Sequence, residues 1–207
     1  MAIKLYHHPF SRAGGVVWAL EEVGIAYELV WVDITKGEHK GGDVAARNPM
    51  GKIPMLVDGD AVVTEAAAID LYLADRYALG RLAPRPDDPK RGAYLRWSLF
   101  APSVIEPAVL AKLHKWEYRA SAAGFGEHDA MLASVEQAVT GRDYVLGDTF
   151  SMADVIFGGT LRYMIRFKLI EPSPAVAAYV ERLAARPALQ RADARNAAVV
   201  AERGLAT

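Results

Sequence analysis

Between Asn48 and Leu73 the chain reads NPMGKIPMLVDGDAVVTEAAAIDLYL, and this stretch restricts the fold more than any other. Pro54 heads the apolar run Met55-Leu56-Val57, and Asp58-Gly59-Asp60 separates that run from Ala61-Val62-Val63. Asp-Gly between two hydrophobic segments signals a hairpin, because the tight turn needs a residue that tolerates positive φ. Proline lacks an amide donor and so belongs at a sheet edge or a strand start, where a tight approach predicts a cis Ile53–Pro54 bond. At an exposed edge of this third strand, an extended Ile53 would offer its N–H and C=O to an extended peptide. Thr64 is placed to cap a helix that begins at Glu65 and carries Ala66, Ile69, Leu73 and Tyr77 on one face. The N–H groups at that helix start attract a carboxylate, and Glu65 beside them attracts an ammonium group. The stretch therefore predicts a site for a small peptide with both ends free.

The whole chain of 207 residues can bury a substantial core in one large or two small domains, and 52% apolar residues argue for a globular protein. A net charge of -1, from 24 basic and 25 acidic residues, leaves no footprint for nucleic acid or an anionic membrane. No apolar run is long enough to span a bilayer and the N-terminus lacks a secretory pattern, so a cytoplasmic protein is expected. The chain has no cysteine, which removes disulfides, thiolate-ligated metals and its own thiol catalysis. Thiol chemistry would require a thiol carried by the substrate.

In chain order, Ala2–Tyr6 reads as a first strand, followed by a tight polar loop His7-His8-Pro9-Phe10-Ser11. A helix is expected from Arg12 to Val23, with Ser11 as N-cap and Gly24 at its end. Gly14 and Gly15 interrupt it at about 0.8–1 kcal/mol each, which points to a close backbone or ligand approach or to neutral drift. Tyr27–Val32 is a second strand, completing a βαβ unit. Thr35–Arg47 reads as a solvated Gly- and Lys-rich loop with a short helix over Asp43–Arg47. The order β, α, β, loop, β, β, α matches a thioredoxin-like domain ending near Tyr77. Prolines 84, 86 and 89 mark a linker. The expected division is 1–80, a linker at 81–89, and an all-helical domain at 90–207. In that second domain Lys90–Val104 is expected to be helical with a break imposed by Pro102 and Pro107. Further helices are expected at His128–Val139, Ala175–Ala185 and Ala188–Ala194, the last fraying toward its end. Ser151 and Asp154 stand in the S-x-x-D relation of a capping box, with Phe150 and Val155 placed as a hydrophobic staple.

The motif Asn48-Pro-Met-Gly-Lys-Ile-Pro54 with Thr64-Glu65-Ala66 resembles the glutathione-binding half of a soluble glutathione S-transferase, and the loop at His8–Arg12 resembles the HPxSR segment of bacterial serine-type members. The resemblance implies an α/β thioredoxin-like N-terminal domain followed by an all-α C-terminal domain, a homodimer, and glutathione as co-substrate. It assigns glutathione contacts to Lys52, Ile53, Pro54, Glu65 and Ala66. Ala66 departs from the family's usual serine and leaves only its backbone N–H for the γ-glutamyl carboxylate. A thiol titrates near about 8.5–9, and lowering that by two units is worth about 2.7 kcal/mol, which one hydroxyl at a helix N-terminus can supply in part. Ser11 takes this thiol-activating role by resemblance, and Tyr6, a phenol at the end of the first strand, is the rival. His7 and His8 are adjacent and point apart, with no acidic or histidine cluster beside them, so no metal is assigned. Phe10, Phe100 and Val104 are expected to line a pocket between the domains for a small hydrophobic electrophile. Three activities follow: conjugation of glutathione to an electrophilic carbon, a glutathione-dependent isomerase or dehalogenating reaction on the same site, or a non-catalytic glutathione-binding module.

Overall fold

The computed structural model describes residues 2–205. Contacts divide them into two compact units, residues 2–78 with 186–205 and residues 79–185. This corrects the expected division: the chain that follows the second unit returns to the first, and the linker residues Leu82 and Ala83 are buried within the second unit. Leu82 C=O accepts the N–H of Met152 at 2.8 Å, so this segment is not a free spacer.

In the first unit the strands are β1 (Ile3–His7), β2 (Tyr27–Trp31), β3 (Met55–Asp58) and β4 (Ala61–Thr64). Their order is β2-β1-β3-β4, with β1 and β2 parallel and the other pairs antiparallel. Helix α1 (Ala13–Val23) makes the crossover between β1 and β2, and Gly24 ends it at φ 79°. Leu5, Leu56, Val16, Val17, Leu20, Ile69 and Leu73 are fully buried, each worth about 1.5–3 kcal/mol relative to exposure. A second apolar cluster joins Tyr6, Val32, Ile53 and Met55 to Val44 of the short α2 (Gly42–Arg47). The hairpin forms as expected, with Asp58 opposite Ala61 and Gly59 at φ 61°. β3 is not an edge strand, however, since β1 and β4 flank it. Only the residues before it lie beyond the ladder. Helix α3 runs Ala66–Tyr77, and its N-cap is Glu65, not Thr64.

The second unit holds α4 (Arg91–Phe100), α5 (Glu106–Leu113), α6 (His128–Val139), α7 (Met152–Arg166) and α8 (Pro174–Ala184). Pro102 and Pro107 do not break the chain. Ala101–Ile105 forms a π-helical turn between α4 and α5, the kind of irregularity that a proline without an N–H for the helical ladder imposes on a continuous helix. The capping box forms at α7. Asp154 is buried and also accepts the Val145 N–H at 2.9 Å and the Tyr179 hydroxyl at 2.9 Å. Burial pushes this carboxyl up despite those bonds.

Helix α9 (Pro187–Arg203) is longer than expected and packs on α1 in the first unit. Side chains anchor it along its length. Arg186 pairs with Glu22 at 2.6 and 2.8 Å, Arg191 with Glu21 at 2.7 Å, and the Arg195 and Arg203 guanidinium groups lie over the Tyr27 and Trp31 rings. These contacts keep an alanine-rich end helical.

The two glycines of α1 differ. A Cβ on Gly14 would stand 2.8 Å from the Pro9 carbonyl oxygen, whereas one on Gly15 meets nothing within 4 Å. Gly14→Ala should therefore cost about 1–3 kcal/mol of stability and Gly15→Ala should gain about 0.5–1 kcal/mol in denaturant unfolding.

Asp70 on α3 is buried and its Oδ1 has no hydrogen-bond partner. Burial raises its pKa well above the usual carboxylate range. A carboxyl raised in the folded state favours folding at acid pH. That contribution is lost as pH climbs from about 3.9, where the unfolded chain ionises, through the folded value. Asp70→Asn, neutral throughout, should melt above wild type at pH 7, and the difference should vanish toward pH 3.

Candidate active site

The β1/β3 ladder stops at Tyr6 opposite Met55, and the β3/β4 ladder stops at Met55 opposite Thr64. The C-terminal ends of β1 and β4 and the N-terminal end of β3 therefore lie side by side. The loop after β1, the approach to β3 and the start of α3 thus meet at one end of the sheet.

The approach to β3 is built by Asn48, which is buried. Its side-chain amide donates to Lys52 C=O at 2.9 Å and its Oδ1 accepts the Met50 N–H at 3.1 Å. Gly51 follows at φ 55°, packed so that a Cβ would lie 3.2 Å from the His39 carbonyl oxygen. The Ile53–Pro54 bond is cis. The N–H and C=O of Ile53 form no hydrogen bond with other described residues. Pro54 is buried, while Lys52 projects into solvent.

Glu65 adopts φ 67° and ψ 119°, a conformation that costs a residue with a Cβ about 1–3 kcal/mol. Its carbonyl accepts the Ile69 N–H at 2.9 Å, and its side chain is exposed. No side chain caps the first N–H groups of α3, Ala66 included. They remain donors for an external anion.

Ser11 closes a tight turn. Its N–H and its Oγ–H both donate to His8 C=O, at 3.0 and 2.8 Å, and its Oγ accepts the Ala13 N–H at 3.1 Å. Arg12 is the residue flanking α1, so Ser11 caps from one position further out than expected. Tyr6 is placed differently. It is buried among apolar residues, and its hydroxyl donates to Asp43. Burial and that carboxylate raise the phenol's pKa. A phenol committed to a carboxylate has no proton to give a sulfur.

His7 and His8 are both buried. His7 Nε2 meets Asn196 Oδ1 at 2.8 Å, and burial lowers its pKa to about 4. His8 Nδ1 accepts the Phe10 N–H at 3.2 Å, its ring lies 4.9 Å from that of Trp31, and its Nε2 has no partner. Burial lowers its pKa as well. Among the described residues no group of three or more His, Cys, Asp or Glu could hold a metal ion.

Phe10 is 42% exposed in the first unit. Phe100 belongs to the second, half-buried against Trp97 and Phe157 at ring distances of 5.3 and 6.4 Å, and Val104 lies half-buried in the π-helical turn. One feature escaped the sequence reading, which took the KGEHKGG loop as solvated. His39 Nδ1 is buried without a partner, Lys40 beside it is exposed, and the His39 backbone packs on Gly51. Gly51, in the loop leading to Lys52 and Pro54, was the available signal for that packing.

Residues 1–75 match the N-terminal domain of glutathione S-transferases and residues 100–187 match their C-terminal domain. Glutathione S-transferase 3 of Zea mays is 32% identical over 91% of this chain and 92% of its own length. The chain belongs to the glutathione S-transferase family. Glutathione transferase URE2P6 from Phanerochaete chrysosporium, solved in complex with oxidised glutathione, superposes with a TM-score of 0.78 at 28% identity over 95% of this chain and 97% of that one. A glutathione transferase from Methylococcus capsulatus gives 0.77 at 29% identity over 95% and 99%. The thioredoxin-like and helical domains expected from the sequence are thus those of the family.

The backbone at Glu65 yields a direct measurement. Glycine has no Cβ to clash at this positive φ, so Glu65→Gly relieves part of the strain and, after its own entropic cost, should gain up to about 1 kcal/mol in thermal unfolding. Glutathione affinity, followed by calorimetric titration, should fall because the carboxylate is gone. A loss of stability would refute the strain.

Proposed function

We propose that the protein is a serine-type glutathione transferase of the kind its HPxSR-like loop resembles in bacteria, conjugating the glutathione thiolate to small hydrophobic electrophiles. The observation that carries this reading is the convergence, at one end of the sheet, of Ser11, the open backbone of Ile53 and the uncapped N-terminus of α3 headed by Glu65. Glutathione has one feature for each. Its cysteinyl backbone pairs with Ile53 ahead of Pro54, its γ-glutamyl carboxylate meets the Ala66 N–H, and its ammonium meets Glu65. The glycyl carboxylate falls to the cationic side made by Lys52 and Lys40.

Ser11 Oγ already accepts the Ala13 N–H, so it meets an incoming sulfur as a donor. To do so it turns its proton from His8 C=O to the sulfur; His8 C=O keeps the Ser11 N–H. A neutral hydrogen bond worth about 0.5–1.5 kcal/mol is exchanged for one to an anion worth about 1.5–3, a net gain of about 1–2 kcal/mol, or about one unit of thiol pKa. The thiolate then attacks the electrophilic carbon as the leaving group departs. Phe10, exposed in the first unit, is assigned to the electrophile's side. The protein is taken to be cytoplasmic and homodimeric, with no nucleic-acid or membrane partner; among the described residues no helix is long and apolar enough to cross a membrane.

Ser11→Ala should raise the pKa of bound glutathione by about one unit and cut kcat/KM at neutral pH about tenfold, with the loss shrinking at high pH. Glutathione affinity should change little. Tyr6→Phe is the control and should leave the pH–rate profile in place. Loss of activity in Tyr6→Phe with an unaltered profile in Ser11→Ala would reverse the assignment. Binding of glutathione with no acceleration toward any of a panel of electrophiles would leave a non-catalytic binding module.

A further inference from the structure

The loop that carries Ser11 is held at both flanks by one side chain from the far end of the sequence. Asn196 on α9 donates through Nδ2 to the carbonyl of Gly14 at 3.0 Å and accepts at Oδ1 from His7 at 2.8 Å. The carbonyl of Gly14 can only accept, so the amide orientation is fixed. His7 must then present Nε2–H. With its pKa near 4, that ring is neutral throughout the physiological range and the bond persists.

His7 is the last residue of β1, and its carbonyl accepts the Val32 N–H at 3.0 Å, which ties it to the chain leaving β2. Gly14 lies in the first turn of α1, and its N–H donates to Ser11 C=O at 3.1 Å. Between these two points His8 C=O receives both donors of Ser11. The Gly14 backbone also lies so close to the Pro9 carbonyl that no Cβ fits there. A shift of Asn196 thus displaces the residues on either side of Ser11. The four arginine contacts of α9 with Glu22, Glu21, Tyr27 and Trp31 fix where Asn196 stands.

We propose that Asn196 is a positioning residue for thiol activation, by which the C-terminal helix sets the placement of the Ser11 hydroxyl relative to the glutathione sulfur. The inference rests on the reading of Ser11 as the thiolate's donor. Asn196 touches no substrate and acts through the loop.

The test uses the full chain and the binary complex with glutathione, whose thiolate is titrated by ultraviolet absorbance, together with kcat/KM toward a chlorodinitrobenzene. Asn196→Leu should raise the bound thiol's pKa by about half a unit to one unit and lower kcat/KM at neutral pH about threefold to tenfold, with the glutathione KM within about twofold of wild type. In a Ser11→Ala background the same substitution should move the thiol pKa no further. Should Asn196→Leu alone fail to fold, His7→Leu with Asn196→Leu removes the side-chain pair together and leaves only the Gly14 carbonyl short of a donor, which costs less than also leaving the His7 ring unpaired, and the same pKa shift is expected. An unmoved thiol pKa in a folded clamp variant overturns the proposal and leaves Asn196 as a packing residue. An equal further shift in the Ser11→Ala background also overturns it. The reading of Ser11 fails separately, if Ser11→Ala by itself leaves the thiol pKa where it was.

Discussion

Much of the first unit depends on where its central ladder stops. Strand β3 is bonded on both sides, to β1 and β4, and Pro54 at its head has no N–H to carry the pairing further. Beyond that point the backbone of Ile53 has no hydrogen-bond partner among the described residues, although strands on either side have just ended. Such an end has the free donor and acceptor that pairing with an extended peptide requires. The buried Asn48, with hydrogen bonds to Lys52 and Met50, holds this approach in place before any ligand arrives. Preorganisation of this kind reduces the ordering cost of binding.

The same end of the sheet concentrates local costs. Glu65 sits in a backbone conformation unfavourable to a side chain, the first N–H groups of α3 lack a side-chain cap, and His8 and His39 each bury a ring nitrogen without a partner. Orphaned buried polar atoms cost about 1–3 kcal/mol each, and they are uncommon enough that several in one region point to function. The core beneath offsets them. Leu5, Leu56, Ile69 and Leu73 are fully enclosed, and the buried Asn48 is satisfied.

Connectivity adds a second level of organisation. Helix α9 follows the helical unit in sequence yet folds with the thioredoxin-like one, through ion pairs to Glu21 and Glu22 and through Asn196. The loop that carries Ser11 is therefore buttressed by a residue nearly two hundred positions away. Gly14 makes this possible. Its missing Cβ lets the turn after β1 close against α1, while its carbonyl receives the α9 amide.

By itself the sequence determined the hairpin, the cis bond, the βαβ unit and the capping box, because each rests on local chemistry. Asp-Gly turns, proline's missing donor, helical spacing and S-x-x-D relations act within a few residues. It also named Ser11, Ile53, Glu65 and Ala66 through spacing and resemblance, and the structure brings these to one end of one sheet. What it could not supply were the matters decided by pairing between distant segments. That β3 is central follows from the strand order, which no local pattern encodes. Ser11 took the thiol-activating role by resemblance with Tyr6 as its rival, and only the fold places Asp43 beside the phenol. The cap of α3 moved from Thr64 to Glu65 because β4 keeps Thr64 paired with Met55, and the chain must turn sharply at the next residue. The unit to which α9 belongs was likewise settled by Glu21, Glu22, Tyr27 and Trp31. Sequence order places α9 after the helical unit, but tertiary contact returns it to the first.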